Sequence, residues 1–180
     1  WQGSLKATYD KYLVPKVLDY TSPEMWDMVG EGKISSLFQF DTMVGAQAIK
    51  KIKPRNIKEL SIANSLVRLM NPDGIQPLDI YVDHKNNINN WYNEMAMAGL
   101  TGDEVHILEK YLLKRCGVAE SQESLMRMVM DPHITNFTME QANFLRKTIA
   151  KKDFRDINAV KELYYKQGES VQTRTQMLDY

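Results

Sequence analysis

Helix start signals recur along this chain, and they leave little room for any other kind of secondary structure. Three times a capping residue is followed three positions later by Glu or Gln: Asn56 with Glu59, Thr101 with Glu104, and Thr138 with Gln141. In this pattern the first side chain accepts from a first-turn N–H and the second reaches back to the cap, so two orphan donors are answered together. Ser22 before Pro23 marks another start, because proline's missing N–H costs nothing in the first turn. Ser121 opens one more, and Asp41 or Thr42 caps another.

Between these starts and the stops at Gly30 or Gly32, Pro54, Gly99, Gly117, Asp131-Pro132 and Gly168, apolar residues recur at helical spacing. The pattern predicts that Val44, Ala48, Ile49 and Ile52 face inward on one helix, and Leu60, Ala63, Val67 and Met70 on the next. It predicts the same for Val105, Leu108 and Leu112, for Leu125, Met128 and Val129, and for Met139, Ala142, Leu145 and Ile149. Pro77–Asp83 and Trp91–Ala98 read as short helices around a polar loop from Asn86 to Asn90, and Asp156 is expected to cap the last helix. Ile34 to Phe40 is the one stretch that reads as extended. The expectation is an all-α, multi-helix globular domain of about eight helices over 17–168. A connecting segment (1–16) precedes it and a loose polar tail (169–180) follows. The eleven methionines read as filler on apolar helix faces.

With 180 residues the chain is one domain or one piece of a larger one. No run approaches the roughly 18–20 apolar residues of a membrane helix, and no basic-then-apolar leader opens it. A lone cysteine, Cys116, excludes an internal disulfide. The expectation is a soluble, cytoplasmic protein with no membrane partner. A chain that opens on Trp1 rather than methionine is expected to be cut from a longer polypeptide.

The charges balance at 23 Lys+Arg and 23 Asp+Glu, but they are segregated. Asp19 to Glu31 carries Asp19, Glu24, Asp27 and Glu31 without a cation. Lys50, Lys51, Lys53, Arg55 and Lys58 then form one basic island, and Arg146, Lys147, Lys151, Lys152 and Arg155 a second. Local field, not net charge, decides what such surfaces attract, and islands of this kind serve as solvated helix faces or as phosphate sites.

Self-contained chemistry is nearly missing from the sequence. Cys116 beside Lys114 and Arg115 ends an apolar helix and reads as structural. His84, His106 and His133 lack the close ligand spacing of a metal site. Asp79 and Asp83 lie one turn apart next to His84, which suits a solvated helix edge better than an ion site. Gly30-Glu31-Gly32 lacks the strand and lysine of a phosphate loop. The sequon Asn136-Phe137-Thr138 has meaning only in a secreted chain.

Three stretches carry a resemblance. Leu37-Phe38-Gln39-Phe40-Asp41-Thr42, with Gly45 after it, resembles the Phe-Gln-(Phe or Leu)-Glu-Ser-x-Gly segment of the C-family replicative DNA polymerases, the bacterial DNA polymerase III alpha subunit. Gly117-Val118-Ala119-Glu120-Ser121-Gln122-Glu123-Ser124-Leu125-Met126 is similar to that family's Gly-Val-x-x-Tyr-Gln-Glu-Gln-Val-Met. Ala142-Asn143-Phe144-Leu145-Arg146-Lys147-Thr148-Ile149-Ala150-Lys151-Lys152 is similar to its Ala-Asp-x-Leu-Arg-Arg-Ala-x-x-Lys-Lys. The three come in the family's order and together cover about Val17 to Lys166.

The resemblance implies the fingers of such a polymerase, in a divergent or phage-like copy. It implies that Arg146, Lys147, Lys151 and Lys152, with Arg68, face the triphosphate of an incoming dNTP. Lys50, Lys51, Lys53 and Arg55 are then expected to meet DNA backbone phosphates. Primer-template DNA and the palm and thumb of the parent polymerase are the implied partners. The family's catalytic carboxylates lie upstream of this region, so no catalytic residue or cofactor is expected in this chain; Mg2+ belongs to the parent's palm. The family's Arg-Pro-Gly-Pro appears here as Arg68-Leu69-Met70-Asn71-Pro72-Asp73-Gly74, and its Tyr-Gln-Glu-Gln as Ser121-Gln122-Glu123-Ser124. Two other readings stand beside this one: a non-catalytic helical DNA-binding module and a protein-interaction domain.

Overall fold

The computed structural model describes residues 11, 19–35, 37, 39–69, 76–151 and 154–168. These residues fall into two compact units, divided between Arg68 and Leu69, within the span expected to form one helical domain. Every regular element among the described residues is a helix.

Unit 1 holds α1 (Pro23–Gly30), α2 (Met43–Ile52) and α3 (Ile57–Leu66). Ser22 and Thr42 cap the first two by accepting from Met25 N and Gly45 N, and Asn56 caps the third by accepting from Glu59 N. The Glu59 carboxylate does not close the box on the cap's own N–H; it accepts from the Arg55 N–H and the Asn56 side-chain amide. Each such cap is worth roughly 1 kcal/mol. The core gathers Trp26, Ile34, Phe40, Ala48, Ile49, Ile52, Ala63 and Leu66, and the Trp26 indole N–H donates to the Tyr20 carbonyl.

The stretch from Ile34 to Phe40 is not extended. Leu37 N bonds Ile34 O and Phe40 N bonds Leu37 O, so the chain turns twice, and Gln39 takes a left-handed φ of 68°. Ile34 and Phe40 both bury, which an apolar run achieves equally well by wrapping a helix end as by joining a sheet. That wrap presses the backbone onto α2: a Cβ on Gly45 would fall 2.7 Å from Phe40 Cα. Two predicted faces also shift. Val44 is exposed, and on α3 Ile62, Ala63 and Leu66 bury while Leu60 and Val67 are half-buried. Met70 lies outside the described residues.

Unit 2 holds α4 (Pro77–Asn86), α5 (Asn89–Met97), α6 (Gly102–Leu112), α7 (Gln122–Val129), α8 (Met139–Lys151) and α9 (Phe154–Gly168). A 3-10 turn over Leu113–Arg115 extends α6. Thr101 and Glu104 form the full reciprocal box, as do Thr138 and Gln141. Two boundaries differ from the expected ones. The polar segment from Asn86 to Asn90 is mostly helical, leaving only Asn87 and Ile88 between α4 and α5, where Asn87 Oδ1 accepts from Asn89 N. The last helix begins at Phe154, so Asp156 lies inside its first turn rather than at its cap.

Trp91 and Met95 of α5 are fully buried and anchor a cluster with Leu108, Leu112, Val129, Ile134, Phe137, Ala142 and Tyr164. Met139 and Ile149, expected inside, are exposed, and so are Met28, Met43 and Met97; those methionines are surface residues rather than filler. The chain leaves α6 through Cys116 and Gly117, both left-handed at φ 51° and 78°. Gly117 passes so close to α4 and α5 that an added Cβ would sit 2.3 Å from Trp91 Cδ1 and 2.9 Å from His84 Nδ1.

Gly99 has the same backbone hand, with φ 80°, but nothing within 4 Å of an added Cβ, so the two glycines separate conformation from packing. Gly99→Ala is expected to cost about 1 kcal/mol, the left-handed penalty alone. Gly117→Ala should cost roughly 3 kcal/mol or more, because Trp91 has no room to move. Urea unfolding of the two variants checks the difference.

Candidate functional site

The second and third stretches of the resemblance meet in unit 2. The Arg146 guanidinium of α8 donates from Nη1 to Gln122 Oε1 at 3.3 Å, across 24 residues of sequence, and from Nε to Asn143 Oδ1 at 3.4 Å. Gln122 is the first residue of α7, so the cation is held over that helix's N-terminal turn. Arg146 is half-buried and Lys147 exposed. Adjacent helical positions project roughly 100° apart. Lys151 is the last residue of α8 and its side chain lies outside the described set, as does Lys152 altogether. Arg68 is exposed at the end of unit 1.

Local chemistry fixes the platform under Arg146. Ser121 caps α7 by accepting from Ser124 N. Just ahead of it, Arg115 Nε donates to Glu120 Oε1 at 2.6 Å while Arg115 Nη1 donates to Tyr111 O. Glu120 is largely buried and also accepts from the Ser124 hydroxyl. The largely buried carboxylate is thus met by a guanidinium and a hydroxyl, which is the condition for burying a charge at tolerable cost. This brace spans the loop from α6 to α7.

The far end of α7 is held from α6. Tyr111 Oη donates to Asp131 Oδ2 at 2.5 Å, and the His133 N–H donates to Asp131 Oδ1 at 2.7 Å. Burial, and then the bond to Asp131, push the Tyr111 phenol up to about 12. Burial pushes the Asp131 carboxyl up, but the hydrogen bonds from Tyr111 and the His133 amide outweigh it and leave the carboxyl below its usual value.

The first basic island lies in unit 1 and meets the acidic segment there. Arg55 Nη1 pairs with Asp27 Oδ1, and Lys50, Lys53 and Arg55 line a cavity of about 460 Å³ together with Trp26, Asp27, Gly30 and Glu31. Lys51 is exposed in the last turn of α2. The charges that the sequence segregates are thus interleaved in space.

The remaining candidates resolve into structure. His84 is buried; its Nδ1–H donates to Cys116 O at 2.9 Å, and its Nε2 lies 3.2 Å from Glu94 Oε2. Asp83 accepts from the Asn90 side-chain amide. Cys116 is half-buried in the left-handed turn. No group of three His, Cys, Asp or Glu side chains suited to a metal forms among the described residues, and none of the described helices is long and apolar enough to cross a membrane. Arg146 stands out in the sequence, but its partner does not. Gln122 is marked only by lying within the stretch from Gly117 to Met126 that resembles the polymerase family.

The sequence model of the bacterial DNA polymerase III alpha subunit finger domain matches residues 2–172, and the chain belongs to that family. Over all 180 residues the chain is 47% identical to a probable DNA polymerase, YorL, of Bacillus subtilis (strain 168). The identity is the same to a DNA-directed DNA polymerase of Bacillus phage SPbeta, and the chain spans 14% of each of these two proteins. It is 25% identical over 152 residues to a DNA polymerase III subunit alpha of Thermotoga maritima, covering 84% of this chain and 15% of that protein.

The Tyr111–Asp131 bond requires a protonated phenol and an ionised carboxylate. Its stabilisation is present above the ordinary Asp value and lost as pH falls through the lowered one. It is equally present below the ordinary Tyr value and lost as pH rises through about 12. Tyr111→Phe is therefore expected to be less stable than the parent by about 1.5 kcal/mol between about pH 4 and pH 10, with the gap closing at both ends. Thermal unfolding across that range checks it.

Proposed function

We propose that this chain is the fingers of a DNA-directed DNA polymerase acting in DNA replication, and that Arg146 and Lys147 meet the triphosphate of the incoming dNTP. The observation that carries the reading is the Arg146–Gln122 contact, which brings two separate family stretches to one place on the surface of unit 2. Phosphoryl transfer is catalysed mainly by positioning and by cations aimed at the phosphate oxygens, and a guanidinium beside an ammonium supplies both a fork and a point charge. The relatives named as DNA polymerases over this chain's full length support it.

Lys151, Lys152 and Arg68 are assigned to the same triphosphate, on the resemblance alone. Lys50, Lys51, Lys53 and Arg55 are assigned to the backbone of primer-template DNA. That role is the weaker one, because Asp27 and Glu31 share the cavity and offset its field. The carboxylates that hold Mg2+ are assigned to the palm, outside this chain, and the isolated chain is not expected to polymerise. A replicative polymerase works in the cytoplasm, the compartment we assign.

In a complete polymerase carrying this chain, Arg146→Ala and Lys147→Ala should each lower kcat/KM for dNTP by about tenfold or more, through a higher KM, a lower kcat or both. Gln122→Ala, which removes the acceptor but no charge, should raise KM about threefold. Unchanged nucleotide kinetics in the first two variants would remove both residues from the site.

A further inference from the structure

A cavity of about 600 Å³ lies inside unit 2, among α6, α7, α8 and α9, and nothing in the proposed nucleotide site uses it. Leu112, Leu125, Leu145 and Val160 supply hydrocarbon walls. Tyr164 lines the cavity too, and one lining hydroxyl is buried without a partner. Thr148, on α8 next to Lys147, lines the cavity, is 2% exposed, and its Oγ1 has no hydrogen-bond partner. A threonine inside a helix ordinarily turns its hydroxyl onto the carbonyl one turn back, and Thr148 does not. A buried hydroxyl left unpaired is costly, so its environment asks for a partner.

Water answers that need poorly, since a buried water requires two to four polar neighbours and these walls are mostly apolar. Among the described lining residues Glu94 and Lys161 are the charged ones, and their charges are opposite. The volume falls in the range of about 300–1,000 Å³ typical of small-molecule sites, which pair apolar walls with very few polar groups.

We propose that this cavity binds a small, largely apolar organic molecule carrying one carbonyl or amide group, which Thr148 Oγ1 meets. The site is distinct from the cationic surface formed by Arg146 and Lys147, although the same helix contributes to both.

The test titrates the full 180-residue chain, labelled at Leu, Val, Ile and Met methyls, with N-benzylacetamide and separately with toluene, read by methyl NMR. Both probes are expected to give saturable shifts confined to the cavity methyls, with the amide at about 1 mM or tighter. Thr148→Val keeps the side chain's shape and removes the hydroxyl. It should weaken the amide about fivefold and leave toluene within about twofold. Ala119→Leu, which narrows the cavity, should weaken both probes. The proposal is overturned if the parent chain shows no saturable shifts, if the shifts fall outside the cavity, or if Thr148→Val binds the amide as the parent does. Cavity shifts that follow protein concentration rather than probe would show a second copy covering the opening and would overturn it too. The parent chain and Thr148→Val decide the matter even if Ala119→Leu does not fold.

Discussion

Two consecutive left-handed residues, Cys116 and Gly117, turn the chain back across Trp91 and His84, and unit 2 is organised around that crossing. Trp91 has no exposed surface, so the turn is laid directly on the centre of the core. Burying a large side chain of this kind contributes roughly 1.5–3 kcal/mol, and only a residue without a side chain lets the backbone approach closely enough to complete the burial. His84 reinforces the crossing by donating to the Cys116 carbonyl, which satisfies a backbone acceptor at the turn. Downstream of the turn, the Arg115–Glu120 brace and the Ser121 cap set where α7 begins, and with it where Gln122 stands. The position of Arg146 is therefore traceable, contact by contact, to a glycine in the core.

What was legible in the sequence was what neighbours in the chain decide between themselves. Caps at Ser22, Thr42, Asn56, Thr101, Ser121 and Thr138 act within one turn, and each starts the helix its spacing implied. Which face of a helix is covered depends on neighbours far away in the sequence, and here periodicity alone misled. Val44, Met139 and Ile149 continue apolar stripes yet are exposed, because an apolar residue is covered only where tertiary packing reaches it. Ile34 to Phe40 looked like a strand because an apolar run with buried ends does not distinguish an edge from a wrap. Asn86 to Asn90 looked like a loop because asparagines favour turns, but a two-residue break was enough to satisfy them. The Gln122–Arg146 contact and the Thr148 cavity belong to the same long-range class and left no periodic trace.

Charge follows a related rule. Acid and base occupy separate blocks of the sequence, which suggests separate fields, yet in unit 1 folding sets Asp27 against Arg55 and brings Glu31 to the cavity that Lys50 and Lys53 line. Exposed pairs of this sort add little to stability. Their effect is on the field: a basic block facing its own acids attracts a phosphate less than the same block facing water. Arg146 on α8 is arranged differently, since its hydrogen bonds go to neutral amide oxygens rather than to carboxylates.

The two bonds that hold Arg146, at 3.3 and 3.4 Å to amide oxygens, are at the long end of the hydrogen-bond range. They orient the guanidinium without immobilising it. A neutral amide competes poorly for a guanidinium against an anionic phosphate oxygen, so an arriving phosphate has only a weak tether to displace. Resting order and readiness to exchange partners then come from the same pair of contacts, and a carboxylate in place of Gln122 would give the first at the expense of the second.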